Sequence, residues 1–117
     1  MGRNVADWRC RIEPPPSTNN LYSGRRFKTP QYEAWITAIG LQINLARGPK
    51  QRPIERCEVE IRIPYNGRRD PDNFLKPVLD QLVRMRIIAT DNMTCVRRIV
   101  IEVDDDAMLC DVRVTEI

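Results

Sequence analysis

Apolar and polar residues alternate along four stretches of this chain, and two further stretches carry helical spacing. Residues 8–13, WRCRIE, alternate and predict a strand. Pro14-Pro15-Pro16 ends it, because proline cannot donate to a sheet ladder. Residues 14–29, PPPSTNNLYSGRRFKT, are loop by composition. Thr29-Pro30 then opens a helix with proline in its first turn. Its apolar set, Ala34, Trp35, Ala38, Ile39, Leu41, Ile43 and Leu45, suits a mostly buried helix to about residue 46, stopped by Gly48-Pro49. Residues 55–63, ERCEVEIRI, alternate with Cys57, Val59, Ile61 and Ile63 inward, and Pro64 and the Asn66-Gly67 turn end that strand. A second helix is predicted over 72–86, with a stripe of Leu75, Leu79, Leu82 and Val83 flanked by Val78. Pro77 is tolerated only near the first turn, which places the helix start between 71 and 75. Residues 95–103, CVRRIVIEV, and 108–115, MLCDVRVT, are two more strands, and the turn Asp104-Asp105-Asp106 is expected to join them as a hairpin.

The order β-α-β-α-β-β predicts an α+β fold, a small mixed sheet covered by two helices. At 117 residues, 1–117 is expected to be a single domain with its own core. No apolar run reaches 18 residues and MGRNVADWRCRIE lacks an apolar signal core, so neither membrane insertion nor export is expected. Cys10, Cys57, Cys95 and Cys110 form no C-x-x-C pair and sit among strand residues. They read as small buried hydrophobes in a reducing compartment, and a cytoplasmic location is expected.

The chain has no histidine, which removes Ser-His-Asp and Cys-His chemistry. Any general base is a carboxylate, a lysine, a tyrosine or metal-bound water. The net charge of +3 is too small to argue for a polyanion, but its distribution is uneven. Between Arg47 and Arg69 stand seven basic residues against three acidic ones, and Arg25, Arg26 and Lys28 form a second basic knot. Segregated charge of this kind can present one basic face to nucleic acid.

Arg68-Arg69-Asp70-Pro71-Asp72-Asn73-Phe74-Leu75-Lys76-Pro77-Val78-Leu79-Asp80 is the densest chemistry in the chain. In extended backbone, Asp70 and Asp72 point to one side, and carboxylate oxygens suit Mg²⁺ or Mn²⁺. On a helix Asp72, Lys76 and Asp80 form one stripe. Asp72 or Asn73 could equally serve only as the helix N-cap. Two acids behind two arginines exceed what a cap needs. The arginines either neutralise the acids or grip phosphates. Asp91 follows the helix. It returns toward Asp70 and Asp72 if the strand after it lies near the strand ending at residue 63; taken alone it reads as a turn former.

The pattern Asp70-x-Asp72-Asn73-x-x-Lys76-x-x-x-Asp80-x-Leu82, with Asp91 following, resembles the RusA family of Holliday-junction resolvases. Pro15-Pro16-Ser17-Thr18-Asn19-Asn20-Leu21-Tyr22 resembles that family's loop motif P-P-S-x-N-N-x-Y independently, and Gly24, Thr29-Pro30, Tyr32 and Trp35 continue in similar style. The likeness spans about residues 10–115. It implies a homodimeric endonuclease that cuts four-way DNA junctions with Mg²⁺, Mn²⁺ being tolerated. It implies that Asp70, Asp72 and Asp91 hold the metal and that Lys76 acts in catalysis, either on phosphate charge or on the leaving oxygen. Asp80 and Asn73 would support these groups from behind. Arg68, Arg69, Arg25, Arg26 and Lys28 are the expected DNA contacts. Asn19, Asn20 and Tyr22 either touch DNA or fix the loop. The family commonly carries Asp-Asp where this chain has Thr90-Asp91, and valine where it has Thr94. That departure keeps open the alternative of a junction-binding protein without catalysis.

Overall fold

A computed structural model describes residues 7–17, 21–23, 27–47 and 52–117. In chain order the elements are β1 (Asp7–Ile12), β2 (Tyr22–Ser23), β3 (Phe27–Lys28), α1 (Pro30–Ala46) and β4 (Cys57–Pro64). A 3-10 turn (Pro71–Phe74), α2 (Leu75–Arg84), β5 (Val96–Asp104) and β6 (Cys110–Glu116) follow. The predicted α+β class holds, with a four-stranded mixed sheet, two helices and a small β2–β3 ribbon that the sequence reading placed in loop. Among the described residues no helix is long and apolar enough to cross a membrane.

Strand alternation decides the core. Cys57, Val59, Ile61 and Ile63 of β4 are buried, as are Val112 and Val114 of β6 and Trp8 and Ile12 of β1. The opposite face carries exposed ion pairs, Arg9 with Asp111, Arg113 with Asp7 and Arg98 with Glu58. All four cysteines are free and buried.

The sheet order is β1-β6-β4-β5, with β4 parallel to β5 and antiparallel to β6. The expected β5–β6 hairpin is therefore absent. β4 lies between those strands, and the segment 105–109 steps across its end. A tight two-residue turn joins only adjacent strands. Crossing one strand spans about 10 Å, which a five-residue link manages.

Thr29 caps α1 by accepting from Tyr32 N at 3.1 Å. The buried side of this helix is Tyr32, Trp35, Ile39 and Ile43, and Trp35 Nε1 donates to Glu13 O at 2.8 Å, tying α1 to the end of β1. The expectation of a mostly buried α1 fails on its other side. Ala34 and Ala38 are exposed, Leu41 is 65% exposed and Leu45 87%. The helix is apolar on two opposite faces, and the core covers one of them.

The second helix starts at Leu75, within the expected 71–75, and ends at Arg84, two residues before the predicted end. Pro71–Phe74 forms a 3-10 turn, so Pro77 falls at the third residue of α2, where its missing N–H costs nothing. Arg86, at φ 60°, adopts the left-handed conformation that reverses the chain after Arg84.

Candidate functional site

Between β4 and α2 the chain turns at Asn66-Gly67. Arg69 N donates to Asn66 O at 3.1 Å and Arg68 N to Asn66 Oδ1 at 3.0 Å. A Cβ on Gly67 would come within 2.8 Å of the Tyr65 hydroxyl, so a side chain there forces Tyr65 to move. Asp70 holds the cap position of the 3-10 turn, where its backbone oxygen accepts from Asn73 N at 3.1 Å. Its side chain makes no capping bond. Neither Asp72 nor Asn73 is the cap. The exposed carboxylates of Asp70 and Asp72 make no hydrogen bond or ion pair among the described residues, and Asn73 is half-buried behind them.

Asp91 is placed by the far end of α2. Ile87 and Ile88 are buried, and Ile54 N donates to Ile87 O while Ala89 N donates to Ile54 O, both at 2.9 Å. Asn92 closes the following turn, its N donating to Thr90 Oγ1 at 3.3 Å and its Oδ1 accepting from Thr94 N at 3.0 Å. Thr90 and Thr94 thus form the turn beside Asp91. Lys76 Nζ lies 3.0 Å from Asp91 Oδ2 and 2.8 Å from Asp80 Oδ1. The hydrogen bonds that the Lys76 ammonium donates to Asp80 and then to Asp91 keep it protonated well above its ordinary range.

The strand condition attached to Asp91 is met, since β5 pairs beside β4. Asp91 meets Lys76 and Asp80, three members of the sequence motif. Asp70, Asp72 and Asp91 offer carboxylate oxygen only, the ligand type that a hard divalent cation takes. By donor type they fit Mg²⁺ or Mn²⁺. Among the described residues no three Asp, Glu or Cys side chains converge closely enough to hold a metal ion. Lys76 is the cation that now bridges Asp91 and Asp80.

The expected DNA contacts divide. The Arg68 side chain is exposed at the turn, and Lys28 is exposed on β3. Arg69 is engaged within the fold. Its guanidinium donates to Pro15 O at 2.8 Å and Pro16 O at 3.3 Å, and stacks 3.9 Å from the centre of the Phe74 ring. Burial lowers its pKa. Arg69 is a clamp that fixes the proline loop against the acidic turn, and this replaces its reading as a phosphate contact. Asn19, Asn20, Arg25 and Arg26 lie outside the described residues.

A concavity adjoins Lys76's acidic partners. It holds about 370 Å³ and is lined by Tyr22, Lys28, Tyr32, Asp80, Gln81, Arg84 and Asp91, among others. The sequence points to Tyr22, Lys28, Asp80 and Asp91 but carries no sign of Gln81 and Arg84. The residues come from the ribbon, both helices and the 90–95 turn, so no local spacing joins them. This chain matches no protein-family model and no curated protein.

Proposed function

We propose that this chain is a metal-dependent endodeoxyribonuclease that resolves four-way DNA junctions, acting in DNA recombination and repair in the cytoplasm. The observation that carries the reading is the meeting of Asp91 with Lys76 and Asp80. These residues belong to separated parts of the motif, and a capping role for the acidic turn would not require them to meet. The free carboxylates of Asp70 and Asp72 support it further, because they cap nothing.

A bound Mg²⁺ activates water and stabilises charge on the phosphate. Asp70, Asp72 and Asp91 would hold it. Lys76 stays charged between its two carboxylates, which suits electrostatic stabilisation of a phosphate and makes it a poor proton donor. Asp80 orients that ammonium through an i,i+4 pair. Arg68 and Lys28 contact DNA backbone, which positions the protein without reading sequence. Two symmetric cuts require two sites related by a two-fold axis, hence a homodimer. The outer stripe of α1 (Ala34, Ala38, Leu41, Leu45), on a helix with one charged residue, Glu33, has the charge-poor character of a subunit interface centre.

Binding without catalysis is the second reading, favoured by the absence of three converging acids among the described residues. Incubation with a synthetic four-way junction, a linear duplex and single strands, in Mg²⁺ and in EDTA, separates the two. Paired nicks on the junction in Mg²⁺ alone are expected. Salt-sensitive binding with no cutting in Mg²⁺ or Mn²⁺ supports the second reading.

A further inference from the structure

We propose that the cavity beside Asp80 and Asp91 is a binding site for an unpaired nucleotide, the base stacking on Tyr22 and the phosphate lying between Lys28 and Arg84. This rests on the reading of the chain as a protein of branched DNA, and it names what the branch point would place against the protein.

The cavity has an aromatic wall that is built to stay in place. Tyr22 is 44% exposed, and its ring meets Tyr32 edge-on with centroids 5.7 Å apart at 74°. Tyr32 in turn stacks on Trp35 at 5.8 Å and 23°. Tyr32 and Trp35 are buried, so the column anchors Tyr22 in the core while leaving part of it open to the cavity. An exposed, backed aromatic face is what single-stranded nucleic acid uses, because every base has a π-face to offer.

The cationic side is also positioned. Arg84 Nε donates to Oε1 of the buried Gln81 at 2.6 Å, and Arg84 Nη2 donates to Ile36 O at 3.3 Å. Gly40 leaves room for this guanidinium. A Cβ there would stand 3.1 Å from Arg84 Nη2. A guanidinium carries five N–H donors, so others remain for a phosphate. Lys28 enters from β3. Asp80 and Asp91 lie in the same wall and would repel a phosphate, but both are paired with Lys76. Three cations therefore stand against two carboxylates. Duplex DNA keeps its base faces stacked and cannot use Tyr22, so an unpaired nucleotide is the ligand that engages both halves of the cavity.

The test is the affinity of the full chain for a ten-nucleotide oligo-dT, read by fluorescence anisotropy over a range of salt. Tyr22→Ala is expected to weaken binding about tenfold or more, whereas Tyr22→Phe, which keeps the ring, binds like the wild type. Lys28→Gln is expected to reduce the salt slope by about one phosphate contact. Wild-type binding that Tyr22→Ala leaves unchanged overturns the proposal, as does a wild type that does not bind the oligonucleotide. If Tyr22→Ala fails to fold, an unchanged salt slope in Lys28→Gln overturns it. Junction cutting that proceeds while oligonucleotide binding ignores Tyr22 leaves the nuclease reading standing alone. Tyr22-dependent binding without cutting does the reverse.

Discussion

Lys76 Nζ and Asp91 Oδ2 are 3.0 Å apart across 15 residues of sequence. The buried Ile87-Ile88 pair brings Asp91 back along α2, and Asp80 makes the same ammonium a shared partner at 2.8 Å.

Replacing that ammonium separates stability from activity. Lys76 is largely exposed, so Lys76→Met should cost no more than about 1 kcal/mol in urea unfolding. Junction cleavage should fall at least about 100-fold, as expected where charge stabilisation on the phosphate is lost. Asp72→Asn should abolish cutting and leave junction affinity within a few-fold. Loss of affinity in Asp72→Asn with the fold intact would count against a catalytic role for that acid.

Arg69 should behave as part of the fold. Arg69→Ala removes two hydrogen bonds from a charged donor and a stacked ring contact, so an unfolding free energy lower by about 1.5–3 kcal/mol is expected. Arg69→Lys should recover only part of it, since an ammonium cannot copy the planar fork. Chemical denaturation decides the point. Unchanged stability in Arg69→Ala would return this residue to the surface.

Stability should also decline on the alkaline side. Burial pushes the Cys110 thiol up to about 12, and burial together with the charges of Tyr22 and Asp80 pushes Tyr32 up to about 12. In the unfolded chain these groups titrate near about 8.5 and about 10. The unfolded state thus loses these protons first, and the folded state binds more of them. The contribution is complete below about pH 8.5 and is lost as pH rises toward about 12. Urea titrations at pH 8 and pH 10.5 should register the fall. Cys110→Ala should remove a share of the fall that begins near the thiol range, the rest coming from Cys57 and Cys10, whose thiols burial also pushes up. Stability that stays level across this window would contradict the assignment of Cys110 and Tyr32 as buried and protonated.

Much of the frame was legible because it depends on local period. The alternation at Cys57, Val59, Ile61 and Ile63 specifies a buried face, and Thr29-Pro30 specifies a helix start. Sheet order was not legible. Nothing in Asp104-Asp105-Asp106 says whether the next strand pairs beside β5 or steps over β4. The apolar residues of α1 lie on two faces, and only that of Trp35, Ile39 and their neighbours reaches the core, so Leu41 and Leu45 resemble core residues by type while standing exposed. In the site, Asp72, Lys76 and Asp80 stand out by type and spacing, whereas Asp91 has no local signature and enters only through the resemblance and the strand topology. Arg69 misled because its partners are backbone carbonyls 53 and 54 residues away, which have no signature in the sequence. The Tyr22–Arg84 cavity was invisible for a related reason, being assembled from elements that meet only after folding.

On the proposed reading Asp70, Asp72 and Asp91 would together hold one divalent cation, although no three acids are preformed as a metal cluster among the described residues. Titration of the full chain with Mn²⁺, followed by electron paramagnetic resonance, tests it without reference to cutting. A bound-Mn²⁺ signal is expected in the wild type, and Asp72→Asn and Asp91→Asn should each abolish it. Mn²⁺ binding that survives Asp91→Asn unchanged, or no binding by the wild type, would overturn the shared site.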